Sequence, residues 1–238
     1  MKDAHCIPDD ALISIIIPVL HEADIINSAV TELRSGQPGE LFEIVIVDGS
    51  PARDTLQALG SSDVITLASG AGRGTQMNAG AARAGGAILL FLHADTRLPE
   101  NALRHIRGAL HDTPCVGGAF GLRIRSGKRL FRIIAGAASL RSRLTRIPYG
   151  DQAIFVLKDY FVSIGGFREI PILEDMDFMR RIKRRGDDVC ILASSVTTSS
   201  RRWEREGPVY ATVRNRIIAA LFFMGVSPQR LARFYRFG

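Results

Sequence analysis

Carboxylates follow two short apolar segments of the chain, at points where strands are expected to end. Asp48 follows residues 43–47, and Asp95 comes three positions after residues 87–92, with His93 between them. Neighbouring parallel strands end at the same edge of a sheet, so these side chains are expected to line one crevice. A single Asp after a strand is often only a turn residue. Two Asp residues at corresponding strand ends favour a binding site for a cation or a polar ligand.

A third acidic group opens a predicted helix over residues 175–185. Glu174 and Asp175 stand at its start, basic residues fill its last turns, and Gly186 ends it. This charge order complements the helix dipole, so a first-turn or capping role is one interpretation. The other is catalytic, because a carboxylate facing a crevice can take the proton from an attacking hydroxyl group.

A glycine pair around an arginine, Gly72-Arg73-Gly74, precedes a predicted helix. Such a loop lets the backbone approach a phosphate, and the helix N-terminus and the guanidinium group add positive charge. The full dinucleotide fingerprint and the P-loop motif are both missing from the sequence. Their absence argues against NAD binding and against a P-loop NTPase.

Alternating strands and helices are expected to hold these residues. Short apolar runs separated by amphipathic segments are typical of an open, mostly parallel, doubly wound α/β sheet. The predicted strands are residues 12–19, 43–47, 64–67, 87–92, 115–125 and 153–157. The predicted helices are residues 23–33, 74–84, 99–110, 128–144, 175–185, 210–224 and 229–236.

The composition is that of a globular protein. The 238 residues are 46% hydrophobic and 23% charged, which excludes a disordered or collagen-like chain. Three cysteines without a CxxC pair exclude a disulfide scaffold and a zinc ribbon, so a cytoplasmic location is expected. The sequence shows neither a signal peptide nor an apolar run long enough to span a bilayer.

Positive charge is concentrated in the second half of the chain. Residues 113–150 hold eight Arg or Lys and no Asp or Glu, and the net charge is +7. This asymmetry predicts an anionic partner, such as a phosphate, a nucleic acid or the inner face of a membrane. The acidic first half and the low aromatic content argue against nucleic acid. The apolar and Arg-rich C-terminal helices could lie on an anionic membrane, pack on the core or form a homodimer contact.

The motifs together resemble those of family 2 glycosyltransferases, which have the GT-A fold. The resemblance covers about residues 12–205, in the order that the family has. It rests on Ser14-Ile15-Ile16-Ile17-Pro18 with Glu22, Glu43-Ile44-Val45-Ile46-Val47-Asp48-Gly49-Ser50, Gly72-Arg73-Gly74 with Asn78, His93-Ala94-Asp95-Thr96, Glu174-Asp175 and Arg201-Arg202-Trp203. Gly150-Asp151-Gln152 and the short length resemble a small subgroup associated with radical-SAM and selenodomain proteins.

The resemblance implies transfer of a sugar from a nucleotide-sugar donor, usually with inversion, and it implies roles for several residues. The nucleoside would be lined by Pro18, Val19, Leu20 and Glu22. Asp48 would hydrogen-bond the base, typically uracil, and Arg73 would contact the nucleotide or its phosphates.

The resemblance also implies a metal and a general base. Asp95 would bind Mn²⁺ or Mg²⁺ bridging the diphosphate, a task suited to hard, oxygen-liganded cations. Asp175, with Glu174 beside it, would take the proton from the acceptor hydroxyl, and Trp203 would close over the acceptor or the diphosphate.

Two positions depart from the family pattern. His93 stands where the metal motif commonly has Asp, and Ser199 stands where Gln commonly precedes Arg-Trp. His93 could be a metal ligand, which would favour Mn²⁺ because imidazole is softer than carboxylate. It could instead hydrogen-bond the ribose or the diphosphate and leave Asp95 as the sole metal ligand.

The sequence thus predicts a tail over residues 1–10, a GT-A domain over residues 11–206 and a helical extension over residues 207–238. The acceptor is not defined, and a lipid-linked molecule is one candidate. The alternatives are a sugar-phosphate nucleotidyltransferase and a basic binding module without catalysis. The first normally needs a Gly-rich, Lys- or Arg-bearing signature after the first strand, where this chain has Pro18-Val19-Leu20-His21-Glu22.

Overall fold

A mixed β-sheet runs through the computed structural model, which describes residues 7–235. Within that range seven strands lie in the order β3-β2-β1-β4-β6-β5-β7. The strands are β1 Ile13–Val19, β2 Phe42–Asp48, β3 Ile65–Ala68, β4 Ile88–Phe91, β5 Cys115–Arg125, β6 Phe155–Leu157 and β7 Asp188–Ser199. Only the pairs that include β6 are antiparallel. The predicted mostly parallel α/β sheet is confirmed.

Helices cover both faces of this sheet. In chain order they are α1 Ala23–Gly36, α2 Asp54–Gln57, α3 Arg73–Arg83, α4 Ala102–Asp112, α5 Arg129–Thr145, α6 Lys158–Ser163, α7 Glu174–Arg184, α8 Arg201–Glu206, α9 Pro208–Phe223 and α10 Pro228–Ala232. A 3₁₀ turn, Gly150–Gln152, precedes β6. Among the described residues, no helix is long and apolar enough to cross a bilayer.

The strand order reverses beside β1. The chain runs from β1 outward to β2 and β3, and then returns to add β4 on the other side of β1. The connections after β1 and β4 therefore leave in opposite directions and open a crevice between them, which is where open α/β sheets bind ligands. Residues 20–22 and 93–95 lie at this crevice.

Two apolar layers hold the sheet between the helices. Alternate residues of β1 point to opposite faces: Ile15 and Ile17 join the cluster that includes α1 and α4, whereas Ile16 joins the cluster that includes α3 and α7. All three isoleucines are fully buried. Burial on both faces explains why the parallel strands appear in the sequence as continuous apolar runs.

The sequence analysis missed β7, a long strand at the edge of the sheet. Its second half is rich in Ser and Thr, and eight of its twelve residues are partly buried or exposed. An edge strand pairs with one neighbouring strand only, and its other edge is not covered by the sheet. Fewer of its side chains are buried, so it lacks the apolar run that marked the inner strands. Its pairing with β5 is nevertheless the most extended in the sheet.

The C-terminal helices pack on α7 by one side. Ile218 and Phe222 of α9 and Leu231 of α10 are buried in a cluster with Met176. The predicted last helix is shorter than expected, because α10 ends at Ala232. Residues 236–238, which that prediction included in part, lie outside the described residues, as do residues 1–6 of the predicted tail.

Close packing of α3 on the sheet requires glycine at position 80. A Cβ atom there would lie 2.5 Å from Ile16 Cγ2 and 3.1 Å from Val47 Cγ2, whereas a Cβ at Gly136 of α5 would meet no atom within 4 Å. We expect Gly80→Ala to lower the free energy of unfolding by about 1–3 kcal/mol through overpacking. Gly136→Ala, the control, should raise it by about 0.5–1 kcal/mol because alanine favours the helix. Urea unfolding of both variants tests this, and a Gly80→Ala protein as stable as the parent would contradict it.

Candidate active site

A buried glutamine joins the ends of β1 and β2 to α3. Gln76 Nε2 donates to the carbonyl oxygens of Val19 at 2.7 Å and Val47 at 2.8 Å. The strand ends are thereby fixed where residues 20–22 begin the next loop. Sequence reasoning did not single out Gln76, because a polar residue in an Ala-rich helix gives no sign that it points into the sheet.

Asp48 holds the loop that follows β2. The side chain is fully buried, and its two carboxylate oxygens accept hydrogen bonds from the backbone N–H groups of Ser50 at 2.7 Å and Leu56 at 3.3 Å. Both carboxylate oxygens are therefore engaged by the backbone of this loop. Its predicted role as base reader stays a prediction.

The loop after β1 brings a carboxylate to the crevice. Its backbone is in the left-handed region at His21, with φ of 57°, and the N–H of Glu22 donates to Thr55 Oγ1 at 3.0 Å. Burial raises the pKa of the half-buried Glu22 carboxyl, and the negative charge of Asp95 raises it further. Of the other residues predicted to line the nucleoside, Val19 is buried in the core, Pro18 is half-buried and Leu20 is exposed.

The 3₁₀ turn places Gly150 between two predicted site residues. Its backbone N–H donates to Asp175 Oδ2, and Asp175 Oδ1 accepts from the N–H of Met176 at 2.7 Å. A Cβ at position 150 would lie 3.3 Å from Asp175 Oδ2 and 3.4 Å from His93 Nε2. The structure therefore brings His93 and Asp175 to one point, although they are far apart in the sequence.

Three carboxyl groups gather at this point. Burial raises the pKa values of Glu174 and Asp175, and the charge of Asp175 raises that of Glu174 further. Burial, and then the charge of Asp175, raises the pKa of Asp151 to about 6. Buried carboxyl groups with raised pKa values in a crevice are typical of sites for acid–base chemistry.

Arg73, at the start of α3, faces the whole cluster. Its positive charge lowers the pKa values of Asp151, Glu174 and Asp175. It also acts with burial to lower the pKa of His93 to about 3, so that this imidazole is uncharged at neutral pH. The preceding Gly72 has φ of 131°, a backbone conformation that favours glycine.

Two further arginines lie at the cluster. The positive charges of Arg141 and Arg202 both act on Asp151. Arg141 stacks on Tyr149, with 3.5 Å between its guanidinium carbon and the ring centre. Arg141 Nε and Arg202 Nη2 are buried without a hydrogen-bond partner among residues 7–235. Buried donors of this kind are costly unless water or a ligand satisfies them. Arg202 also pairs with Glu206. The other guanidinium nitrogens of Arg141 donate to three neighbouring residues, Ile147, Ser142 and Gln152.

Arg141 is a site residue that the sequence analysis missed. The sequence analysis treated the basic residues of 113–150 as one block, and nothing in their spacing distinguishes the arginine of α5 that turns inward. Trp203 is half-buried and packs against the core cluster that includes α1. Its predicted closure over a ligand stays a prediction.

The donor set for a divalent metal at Asp95 and His93 is small. Among the described residues, no three His, Cys, Asp or Glu side chains are grouped so as to bind a metal by themselves. A carboxylate oxygen and an uncharged imidazole nitrogen nevertheless suit Mn²⁺, and a nucleotide-bound metal takes several ligands from phosphate and water. The residues present therefore fit a metal that arrives with the nucleotide.

A cavity reaches the same edge of the sheet from the side of α1. Its volume is about 490 Å³, and its lining includes Asp95, Arg97, Arg125 and Arg201. This volume is in the range of small-molecule sites. Glu32 also lines the cavity and pairs with Arg97. Among the described residues of the lining, Arg125 and Arg201 therefore face only one further carboxylate, that of Asp95.

The family model for glycosyl transferase family 2 matches residues 14–168, a segment that includes β1, the loop after β2, Arg73 and residues 93–95. The chain belongs to glycosyl transferase family 2. The matched segment ends before Glu174, so it does not include the carboxylates at the start of α7. Family membership favours the glycosyltransferase over the nucleotidyltransferase that the sequence left open.

Solved structures share the fold. The mannosyltransferase PcManGT from Pyrobaculum calidifontis, solved with GDP-Man and Mn²⁺, has a TM-score of 0.60 and 17% identity over 79% of this chain and 56% of its own. Residues 1–349 of S. aureus TarS with UDP-GlcNAc give a TM-score of 0.61 and 17% identity over 79% of this chain and 58% of TarS. The same protein with UDP gives a TM-score of 0.62 and 15% identity over 93% of this chain and 69% of TarS.

These likenesses establish the GT-A fold. The chain spans about half to two thirds of the length of the structures that it matches. A search of curated proteins found no match to the chain.

Proposed function

We propose that this protein transfers a sugar, with inversion, from a nucleotide-sugar donor to a hydroxyl group of an acceptor. One observation carries the proposal: the carboxyl groups of Asp151, Glu174 and Asp175 gather at the crevice of a GT-A sheet, where the positive charge of Arg73 acts on all three and that of Arg202 acts on Asp151. The carboxylates can activate the hydroxyl group, and the cations can stabilise the negative charge that develops on the departing nucleoside diphosphate.

Asp175 is the proposed general base. Two backbone N–H groups hold its carboxylate oxygens in place and favour the ionised form against the effect of burial. It accepts the proton of the acceptor hydroxyl as the oxygen attacks the anomeric carbon and the bond to the diphosphate breaks. Glu174 and Asp151, whose pKa values are raised by burial and by the charge of Asp175, are the alternative bases.

The nucleotide is proposed to lie at the ends of β1 and β2. Pro18, Leu20 and Glu22 border the nucleoside there, Val19 supports them from the core, and Asp48 fixes the loop beside the base. UDP is the preferred nucleotide of this proposal. The likeness to TarS, which was solved with UDP-GlcNAc, supports it, and the likeness to PcManGT with GDP-Man makes GDP the competitor to test.

A divalent cation would be held by Asp95, with His93 as a second ligand or as a hydrogen-bond partner of the diphosphate. When bound, the metal neutralises charge on the diphosphate leaving group. Mn²⁺ is preferred over Mg²⁺ if His93 coordinates it. Uncharged His93 has one nitrogen lone pair, which can coordinate a metal, and one N–H, which can donate to the diphosphate.

Arg73 gives the test of the donor site. We expect UDP or a UDP-sugar with Mn²⁺ to raise the melting temperature, and Arg73→Gln to weaken nucleotide affinity roughly 10- to 100-fold, the usual value of a charged hydrogen bond. The matched control is Arg83→Gln, on the same helix but in its last turn. A panel of UDP- and GDP-sugars with Mn²⁺ or Mg²⁺, followed by release of the diphosphate, identifies the donor. If Arg73→Gln binds as tightly as Arg83→Gln, the phosphate role is wrong.

A further inference from the structure

Helix α5 exposes a stripe of large apolar side chains along its outer face. The stripe consists of Leu130 (38% exposed), Ile133 (69%), Leu140 (58%) and Leu144 (75%). Their spacing places them on one face of the helix. The inner face packs on the sheet through Phe131 and other buried residues. This helix therefore has two apolar faces, and the core uses only one of them.

Helix α9 has the same construction. Its outer face carries four exposed apolar side chains: Val209 (61% exposed), Val213 (51%), Ile217 (54%) and Met224 (72%). Met224 comes directly after the last residue of the helix. Its inner face packs on α7 through residues such as Phe222. The sequence analysis left open whether this segment lies on a membrane, packs on the core or forms a homodimer contact, and the structure shows that one side is covered and the other is not.

Positive charge flanks both stripes. Arg129, Arg132 and Arg143 of α5 and Arg216 of α9 are exposed, and neither helix contains an acidic residue. The two helices also contact each other, and Arg141 of α5 and Arg216 of α9 both act on the pKa of Tyr149. We call the four exposed arginines and the two stripes the α5/α9 surface.

We propose that the α5/α9 surface lies on an anionic membrane. Apolar side chains bordered by arginines, without carboxylates, are the pattern of helices that rest in the headgroup region of such a membrane. A second copy of this chain fits less well, because a two-fold contact would place the same acid-free arginines against each other. Charge complementarity thus selects an anionic lipid surface.

The α5/α9 surface lies one helix away from the candidate base. The inner side of α5 carries Arg141, which acts on Asp151 and Asp175, while Leu140 and Leu144 point outward. A helix is only about 10 Å thick with its side chains, so an acceptor anchored in the membrane could present a hydroxyl group to the crevice. The inference that the acceptor is a lipid or is lipid-linked rests on the proposed function; membrane binding itself does not.

Vesicle binding by the full chain tests the proposal. Co-sedimentation is measured with phosphatidylcholine vesicles, with and without phosphatidylglycerol, at low and high salt. We expect binding to the anionic vesicles only, and weaker binding at high salt. Arg132→Gln with Arg143→Gln should lower the partition coefficient by about 25-fold, at about five-fold for each arginine. Ile133→Gln with Ile217→Gln should lower it at least about ten-fold by removing apolar contact.

The controls separate membrane binding from folding and from catalysis. Val162→Gln replaces an equally exposed apolar residue of α6, which is 66% exposed, and should bind vesicles as the parent does. Nucleotide-induced thermal shifts should stay unchanged in every variant, so a failure of the donor site would be seen separately.

Three results would overturn the proposal. The first is that the parent does not bind vesicles, and the second is that the arginine double variant and the apolar double variant both bind as tightly as the parent. The third is that light scattering finds the parent to be a dimer and the Ile133→Gln with Ile217→Gln variant to be a monomer.

Discussion

The Asp175→Asn variant is expected to lose sugar transfer by roughly 10²- to 10⁴-fold, the usual contribution of a general base, while it still binds the donor. Asparagine keeps the shape of the side chain but cannot take a proton at neutral pH. Transfer is measured as release of the nucleoside diphosphate, with water as the acceptor until the natural one is found. Donor binding is measured by thermal shift.

A stability cost must be separated from this catalytic loss. Asp175 accepts hydrogen bonds from the N–H groups of Gly150 and Met176, and the amide nitrogen of asparagine would face one of these donors. This mismatch costs about 1–3 kcal/mol, so the variant is assayed well below its own melting temperature.

Two sister variants make the assignment specific. Glu174→Gln and Asp151→Asn remove the other carboxylates of the cluster and should reduce turnover less than Asp175→Asn does. If Glu174→Gln shows the larger loss while Asp175→Asn turns over normally, the base is Glu174. If all three retain turnover, the carboxylate cluster does not supply the base.

The Asp95→Ala variant is expected to lose the metal-dependent part of nucleotide binding. A ligand at a hundred times its Kd stabilises a protein by about 2.7 kcal/mol, which at about 2–4 °C per kcal/mol raises the melting temperature of a chain of this size by roughly 5–10 °C. With UDP and Mn²⁺ we expect a shift of this size in the parent and little of it in Asp95→Ala. His93→Ala should weaken the shift less, or alter the preference between Mn²⁺ and Mg²⁺.

The control removes a carboxylate elsewhere. Asp159→Ala changes an exposed residue of α6 and should leave the UDP shift unchanged. A shift in the parent that persists when the metal is chelated would show that nucleotide binding does not need the metal. A full shift in Asp95→Ala would remove Asp95 from the metal site even if a metal is required.

Local signals in the sequence were sufficient for the inner part of the fold. The isoleucines of β1 form a continuous apolar run because both faces of a parallel strand are buried. Asp48 ends β2 and Asp95 follows β4, and the ends of these strands share an edge of the sheet. The apolar run and the acidic residue at its end are both patterns of neighbouring residues, and they recur in successive parallel strands. The edge strand β7 lacks them because its partner covers only one of its sides.

The sequence by itself determined the α/β class and the positions of Asp48 and Asp95 at strand ends, because each depends on neighbours within a strand or a turn. Only the tertiary structure decided which distant groups meet there. It turned Arg141 inward, set Gly150 between His93 and Asp175, and left the outer faces of α5 and α9 uncovered. The physical reason is that the burial and charge of these groups are set by contacts between elements far apart in the chain, and the periodicity of one helix does not show which of its faces the rest of the protein will cover.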